Sequence, residues 1–328
     1  MVAAVGPPGH GGVMDPRTVA ALCAVLASQD GVASWSQLRD TGLQRHDLER
    51  MLRRRELVRV HRRVYVDHTG PLTWSQRAWA AVLHAAPAAL CLESAEPRPD
   101  PAALIHVAVA SERRVTATAG IQVHRLAGFA DLVRWSAGPP RLKVEPNVLE
   151  RVDRAGTESE VIRLLSDAVG SRRTTVPRLR DRLAERSRMS RREWIGLVLD
   201  DLESGACSVL EQGYLTRVER PHGLPAPRRQ APRRGESGIE YRDGVYDDLG
   251  VVIELDGQLG HAGWRAAGRD ADRDLDARAD GDDSVRIRWA QVFDRPCLTA
   301  RRLARLFERH GWAGSLRPCG HGCAAVGR

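Results

Sequence analysis

Three carboxylates, Asp243, Glu254 and Asp256, lie close together in the last third of the chain. The last two belong to the short apolar run 251–256, which ends at a glycine and therefore predicts a buried strand. Side chains alternate along a strand, so Glu254 and Asp256 should share one face of the sheet. Two acids on one face of a buried strand are suited to binding a divalent cation.

The residues just before this strand predict a hairpin. Residues 247–250 are of the turn type, and a four-residue loop there would pair Tyr246 with Val251. The same register would place Asp243 opposite Glu254. All three acids are therefore expected to converge.

Converging carboxylates repel one another and raise one another's pKa unless a cation lies among them. Ligands that are all oxygen favour Mg²⁺ or Mn²⁺ over a softer metal. The alternative is that Glu254 and Asp256 face solvent from an edge strand. Their apolar neighbours argue instead for burial on both faces, where acids are not left without partners. The sequence predicts a Mg²⁺ (or Mn²⁺) site formed by Asp243, Glu254 and Asp256.

This segment resembles a known family. The segment reads Arg-Asp, a short turn and Val-Val-Ile-Glu-Leu-Asp-Gly, followed by His261 and the Arg-Asp-x-Asp-Arg-Asp of residues 269–274. This pattern is similar to a domain of unknown function related to the very-short-patch-repair (Vsr) endonuclease, within the PD-(D/E)XK nuclease superfamily. The resemblance implies an αβββαβ restriction-endonuclease-like core, a divalent metal and hydrolysis of DNA phosphodiester bonds.

By this resemblance Asp243 takes the place of the family's first acid, and Glu254 and Asp256 form the pair on the next strand. The chain departs from the superfamily pattern at Asp256, where a lysine is expected. His261 is then the candidate general base or phosphate contact. In the predicted helix 264–280, most of the charged side chains are interpreted as solvated ion pairs.

A further acid, Glu211, follows Ser208 at the predicted start of the domain's first helix. Nucleases of this class often carry an extra acid there, so Glu211 is a candidate catalytic residue. The equally good alternative is that Ser-x-x-Glu is a capping box, which stabilises the helix by about 1 kcal/mol and does no chemistry.

The 328 residues carry a formal net charge of +8 and a sequence pI of about 9.7, which favours a polyanionic partner such as DNA. Lys143 is the only lysine, so this charge is almost all arginine. Six cysteines are spread along the chain, with neither a secretory signal nor a run long enough to cross a bilayer. These features predict a cytoplasmic protein with reduced thiols and no membrane partner.

The tail Cys319-Gly320-His321-Gly322-Cys323 has the residue types of a zinc site. Its potential ligands are crowded, and the sequence does not indicate a fourth, so no metal is assigned to the tail at this stage.

Near the other end of the chain, three short helices and a hairpin are predicted between residues 15 and 70, which is the order of a winged helix-turn-helix. The third helix and the hairpin carry a polar and basic face, which suits DNA binding. Alternatively, this face is an ordinary solvated helical surface. The candidate DNA-binding residues are Gln44, Arg45, Arg50, Arg53, Arg59, Arg62 and Arg63.

The hairpin Leu-Val-Arg-Val-His-Arg-Arg-Val-Tyr-Val and the residues around it resemble the N-terminal winged-helix domain of AbiEi-type antitoxins of type IV toxin-antitoxin systems. That resemblance implies DNA binding and transcriptional repression. It extends loosely through the next region, where two alternating strands and arginine-rich helices are predicted.

The sequence therefore predicts an α+β multidomain protein. Its parts are a disordered tail (1–14), a winged helix-turn-helix (15–70), a mixed α/β AbiEi-like middle region (71–203), a Vsr-like nuclease domain (204–315) and a Cys/Gly-rich tail (316–328).

Two functions stay open. One is a Mg²⁺-dependent DNA endonuclease. The other is a non-catalytic AbiEi-like antitoxin or autorepressor with a degenerate nuclease fold, whose partners are its operator and a cognate nucleotidyltransferase-like toxin.

Overall fold

The computed structural model describes residues 14–204, 208–235, 238–257 and 283–326. Within these residues the chain is a mixed α and β protein with helices and three sheets, as the sequence predicts at this coarse level. It divides into two compact units, Met1–Asn147 and Val148–Arg328. The division falls inside the stretch 71–203, which the sequence analysis treats as one region. The predicted disorder of residues 1–13 and the predicted helix 264–280 lie outside the described residues.

The first unit begins with three helices and a small sheet. The elements are α1 (Pro16–Ser28), β1 (Val32–Ser34), α2 (Trp35–Asp40), α3 (Arg45–Arg54), β2 (Val58–His61) and β3 (Val64–Val66). The three strands are antiparallel in the order β1-β3-β2. The helices and the hairpin agree with the sequence pattern, whereas β1 was not predicted.

Local signals explain where these helices begin. Pro16 occupies the first turn of α1, where a missing N–H costs nothing. Ser34 and Gln37 form a reciprocal capping box at the start of α2. At the start of α3, the carboxylate of Asp47 accepts a hydrogen bond from the backbone N–H of Gln44 at 3.2 Å.

A single apolar core holds the three helices to this sheet. Leu22 of α1, Leu38 of α2, and Leu48 and Met51 of α3 pack together with Tyr65 of β3. The apolar residues of α3 recur at helical spacing, so its polar residues face outward.

The first unit continues with a five-stranded sheet in the order β6-β5-β4-β8-β7. Its elements are α4 (Trp74–Ala85), β4 (Ala89–Leu90), a 3-10 turn (Leu92–Ala95), β5 (Ile105–Ala110), β6 (Ile121–Leu126), α5 (Phe129–Leu132), β7 (Val133–Arg134) and β8 (Arg141–Leu142). The alanine-rich face of α4 packs against β4 and β5. Helix α6 (Val144–Arg154) leads into the second unit.

The second unit begins with α-helices and contains the third sheet. The elements are α7 (Glu158–Gly170), α8 (Val176–Glu185), α9 (Arg192–Ser204), α10 (Ser208–Gly213), a π-helical segment (Tyr214–Glu219), α11 (Arg220–His222), β9 (Arg228–Gly235), β10 (Gly238–Tyr246), β11 (Val251–Asp256), β12 (Asp283–Arg288), α12 (Trp289–Phe293) and α13 (Pro296–Arg309). The strand order is β12-β11-β10-β9, with β11 and β12 parallel and the other pairs antiparallel.

Close packing fixes the helices of this unit against its sheet. The ring of Tyr246 on β10 contacts that of Phe307 in a tilted arrangement with centroids 4.5 Å apart, and its hydroxyl is 3.0 Å from that of buried Tyr214. A Cβ atom added at Gly213 would lie 2.5 Å from the ring of Phe293, so a larger residue there requires the ring or the helix to shift. The helix that begins at Ser208 is therefore held close to α12.

In the part of the chain that the structure describes, no helix combines the length and the apolar character needed to cross a bilayer.

Candidate functional site

The hairpin β10–β11 brings the first predicted acid to the second strand. Tyr246 pairs with Val251 and Gly244 with Ile253, which is the register expected from the sequence. One residue before Gly244, the carboxylate Oδ2 of Asp243 accepts a hydrogen bond from the backbone N–H of Leu255 at 2.7 Å. Asp243 is therefore fixed beside the segment that carries Glu254 and Asp256.

The strand β11 is buried as its pattern predicts. Val251, Val252, Ile253 and Leu255 are all buried, whereas the side chains of Glu254 and Asp256 are only partly covered. The two acids thus lie at the accessible end of an otherwise apolar strand. They are not solvated side chains of an edge strand, because β11 has β10 on one side and β12 on the other.

Glu211 of α10 lies beside Asp243, although the two residues are far apart in the chain. The Nε2 of Gln230 on β9 donates hydrogen bonds to Glu211 Oε1 at 3.2 Å and to Asp243 Oδ1 at 3.4 Å. Burial raises the pKa of Glu211, the Asp243 carboxylate raises it further, and Arg229 lowers it. The helix and the two strands therefore bring two mutually repelling acids to one place.

The start of α10 shows which group caps this helix. The buried carboxylate of Asp201 accepts hydrogen bonds from the hydroxyl of Ser208 and, at 2.8 Å, from the backbone N–H of Val209. This carboxylate supplies a helix cap. The side chain of Glu211 is linked through Gln230 to Asp243.

Asp256 is engaged by an arginine of the neighbouring strand. Arg288, which pairs with Asp256 across β11 and β12, places Nε and Nη2 each 3.0 Å from Asp256 Oδ2. The side chain of Asp256 is 11% exposed and that of Arg288 is 65% exposed. The negative charge of Asp256 is thus balanced by a cation that also reaches solvent.

The three predicted metal ligands do not converge on a single point as they stand. Among the described residues, no trio of carboxylates has donor oxygens that all lie within 4.8 Å of one another. Asp243 is directed to the Leu255 amide and Asp256 to Arg288, which accounts for the separation. Oxygen-only donors still suit a hard divalent cation, which would draw the carboxylates closer. His261 and residues 269–274 lie outside the described residues.

The predicted DNA-binding residues lie on α3 and on the hairpin β2–β3. Gln44, Arg45 and Arg53 are exposed along α3, and Arg59, Arg62 and Arg63 are exposed on the hairpin. Arg50 differs from them, because it is half-buried and lies 2.7 Å from the carboxylate of Asp47. Arg45 forms an exposed ion pair with Glu49 at 3.3 Å.

The remaining arginines of this surface carry uncompensated charge. Arg53, Arg59, Arg62 and Arg63 form no salt bridge with any residue within the described ranges. Guanidinium groups that are exposed and lack a carboxylate partner can bind phosphate without first breaking an ion pair.

Sequence reasoning missed two residues around the acids, Gln230 and Arg288. Gln230 has a positive φ of 46°, an unusual conformation inside a strand that no local pattern announces. Arg288 is recognisable only through the parallel register that brings it to Asp256.

Comparison of the chain with protein-family models and with curated protein sequences gives no match. The two family resemblances of the sequence motifs therefore stay predictions.

Proposed function

We propose that this protein binds DNA through residues 15–70, folded as a winged helix-turn-helix, and that its second unit is a Mg²⁺- or Mn²⁺-dependent DNA endonuclease of the PD-(D/E)XK type. The helix-helix-helix-hairpin order and the three-stranded sheet β1-β3-β2 support the first part. The order α10, β9, β10, β11, β12 and α12 supports the second.

The observation that carries the nuclease proposal is the hydrogen-bonded set Glu211–Gln230–Asp243–Leu255. It brings an acid from a helix and an acid from a strand to the place where β11 carries Glu254 and Asp256. A protein gains no stability from placing like charges together, so the close approach of Glu211 and Asp243 favours a function that uses negative charge.

Asp243 and Glu254 are the proposed ligands of the cation, and Glu211 adds charge that attracts it. When bound, such an ion polarises the phosphoryl oxygen and lowers the pKa of a bound water. Asp256 forms an ion pair with Arg288, so it can bind the cation only after that ion pair breaks. The exposed guanidinium of Arg288 is then free to contact a phosphate of the DNA.

The test is cleavage of supercoiled plasmid DNA in Mg²⁺ or Mn²⁺ by the full-length protein. Glu254→Gln removes one charge at constant shape, and the matched control Asp248→Asn removes one charge from the exposed turn that precedes β11. We expect Glu254→Gln to slow cleavage by at least about 100-fold, more than the loss typical of residues that only support a metal ligand. The control should cleave like the wild type. Cleavage by Glu254→Gln at the wild-type rate would overturn the assignment.

A second function is favoured by one observation, the pairing of Asp256 with Arg288 while the carboxylates remain apart. It is a DNA-binding protein that does not cleave, of the AbiEi-like antitoxin or repressor kind, with its operator and a nucleotidyltransferase-like toxin as partners. No cleavage under any metal condition, together with retained DNA binding, would establish this second function over the first.

Both functions require the hairpin β2–β3 to bind phosphate. Substituting Arg59, Arg62 and Arg63 together by alanine should weaken binding to any duplex and reduce the slope of log affinity against log salt by up to about 3, since each phosphate contact contributes about 0.9. Fluorescence anisotropy in EDTA measures binding without cleavage. The control is Arg98→Ala, another exposed arginine of the same unit. An unchanged slope in the triple variant would exclude the hairpin as the DNA contact.

A further inference from the structure

Four metal-binding side chains from three separate elements meet in the second unit. They are His222 at the end of α11, Cys297 in the first turn of α13, and Cys319 and Cys323 in the terminal segment. One donor atom of each lies within 4.8 Å of the donor atoms of the other three, and the Sγ atoms of Cys297 and Cys319 are 3.5 Å apart. Zn–S bonds of about 2.3 Å imply a distance of about 3.8 Å between two sulfur ligands of a tetrahedral site, which is close to this spacing.

The histidine is oriented as a ligand. His222 is fully buried, and its Nδ1 lies 2.9 Å from the carbonyl oxygen of Val218, one helical turn earlier. Because Nδ1–H donates there, the lone pair remains on Nε2, which has no hydrogen-bond partner despite its burial. A buried nitrogen without a partner is costly, and metal-ligating histidines commonly donate their other ring N–H to a carbonyl.

Cys319 and Cys323 lie in a segment without helix or strand. After α13 ends at Arg309, residues 312–326 form no helix or strand. The backbone N–H of Arg317 bonds to the carbonyl of His222 at 2.9 Å, which returns the chain to the end of α11. The backbone N–H of Ala325 points at the Sγ of Cys323 at 3.4 Å, an orientation that stabilises a thiolate.

We propose that His222, Cys297, Cys319 and Cys323 bind one Zn²⁺ ion that fastens the terminal segment to the ends of α11 and α13. Three sulfur donors and one imidazole form a soft set that favours zinc and excludes Mg²⁺. Four protein ligands close the coordination sphere, so the ion is structural. The site shares no residue with the carboxylates, and His222 lies at the opposite end of the helical segment Ser208–His222 from Glu211.

The experiment measures zinc bound to the full-length protein, purified under reducing conditions without chelator, by elemental analysis. We expect one zinc ion per chain in the wild type. Cys319→Ser and His222→Gln should lose it. The matched controls are His321→Ala, which removes the exposed histidine between the two tail cysteines, and Cys23→Ser, which removes an exposed thiol of the first unit. Both controls should keep one zinc.

Replacement of zinc by Co²⁺ provides the second measurement. The wild type should develop the visible absorption of tetrahedral Co²⁺ and the charge-transfer band of cobalt thiolates, and Cys319→Ser should not. Far-UV circular dichroism reports whether that variant keeps its helices, which is expected because Cys319 lies outside them.

Two results would overturn the zinc site. They are a reduced wild type that binds neither zinc nor Co²⁺, and loss of zinc in His321→Ala with retention in His222→Gln. The proposal stands apart from the nuclease, since Glu254→Gln should keep its zinc whether or not the wild type cleaves DNA.

Discussion

Asp243 performs two tasks that a pair of substitutions can separate. Its charge belongs to the proposed cation site, and its Oδ2 accepts the backbone N–H of Leu255 at 2.7 Å in a partly buried position. Asp243→Asn removes the charge and keeps an oxygen for this hydrogen bond. Asp243→Ala removes both.

The two variants should differ in stability and agree in activity. A hydrogen bond to a charged group contributes about 1.5–3 kcal/mol and a neutral one about 0.5–1.5 kcal/mol, so Asp243→Asn should lose about 1 kcal/mol. Part of that loss is offset, because the repulsion of Glu211 disappears. Asp243→Ala leaves the Leu255 amide without its acceptor and should cost about 1–3 kcal/mol, more than Asp243→Asn. Plasmid cleavage should fall by at least about 100-fold in both.

Urea unfolding followed by circular dichroism measures the stability of the two variants, and plasmid nicking in Mg²⁺ measures their cleavage activity. Equal stability of the two variants would mean that the Leu255 hydrogen bond is unimportant. Cleavage by Asp243→Asn at the wild-type rate would refute the role of its charge, and with it the cation site proposed here.

Three further predictions concern the same unit. Gly213→Ala should destabilise the protein by about 1–3 kcal/mol, because the new methyl group would overlap Phe293, and a Tm at or above the wild-type value would show that the helix can shift. Burial and then Asp243 raise the pKa of Glu211, so its folded state favours the proton and its contribution to stability falls as pH rises above its unfolded pKa. Glu211→Gln should therefore stabilise the protein more at about pH 7 than at about pH 4, and urea unfolding that shows the opposite trend would contradict the pKa assignment. Brief EDTA treatment should abolish plasmid cleavage, and Mg²⁺ alone should restore it while the zinc content stays at one per chain, whereas cleavage that returns only when Zn²⁺ is added with Mg²⁺ would indicate that the two sites are not independent.

The elements that the sequence predicts well are those set by local physics. Proline, capping residues and helical spacing locate the first three helices, and each of these signals acts within a few residues. The alternation of 251–256 and the turn residues before it predict the hairpin register that pairs Tyr246 with Val251. The strand β1 was missed because Val32–Ser34 is only three residues long and entirely buried, so it shows no alternation.

The candidate sites required more than local patterns. The sequence suggests an acid at Glu211, but it cannot choose between a capping box and a functional carboxylate, because the competing cap comes from Asp201 on the previous helix. In the tail the sequence shows the residue types of a zinc site but indicates no fourth ligand and assigns no metal, whereas the cluster that forms joins Cys319 and Cys323 to His222 and Cys297 and does not include His321.

The sequence by itself determined the types of chemistry available to this protein, namely hard carboxylate ligands on a buried strand, soft thiolates in the tail and a basic face near the start. Those follow from residue type and short-range periodicity. Only the tertiary structure decided which of these groups meet, because contacts between distant segments depend on how whole helices and strands pack. Glu211 reaches Asp243 through Gln230, and His222 reaches the tail cysteines, only after the helix from Ser208 to His222 has packed against both the sheet and α13.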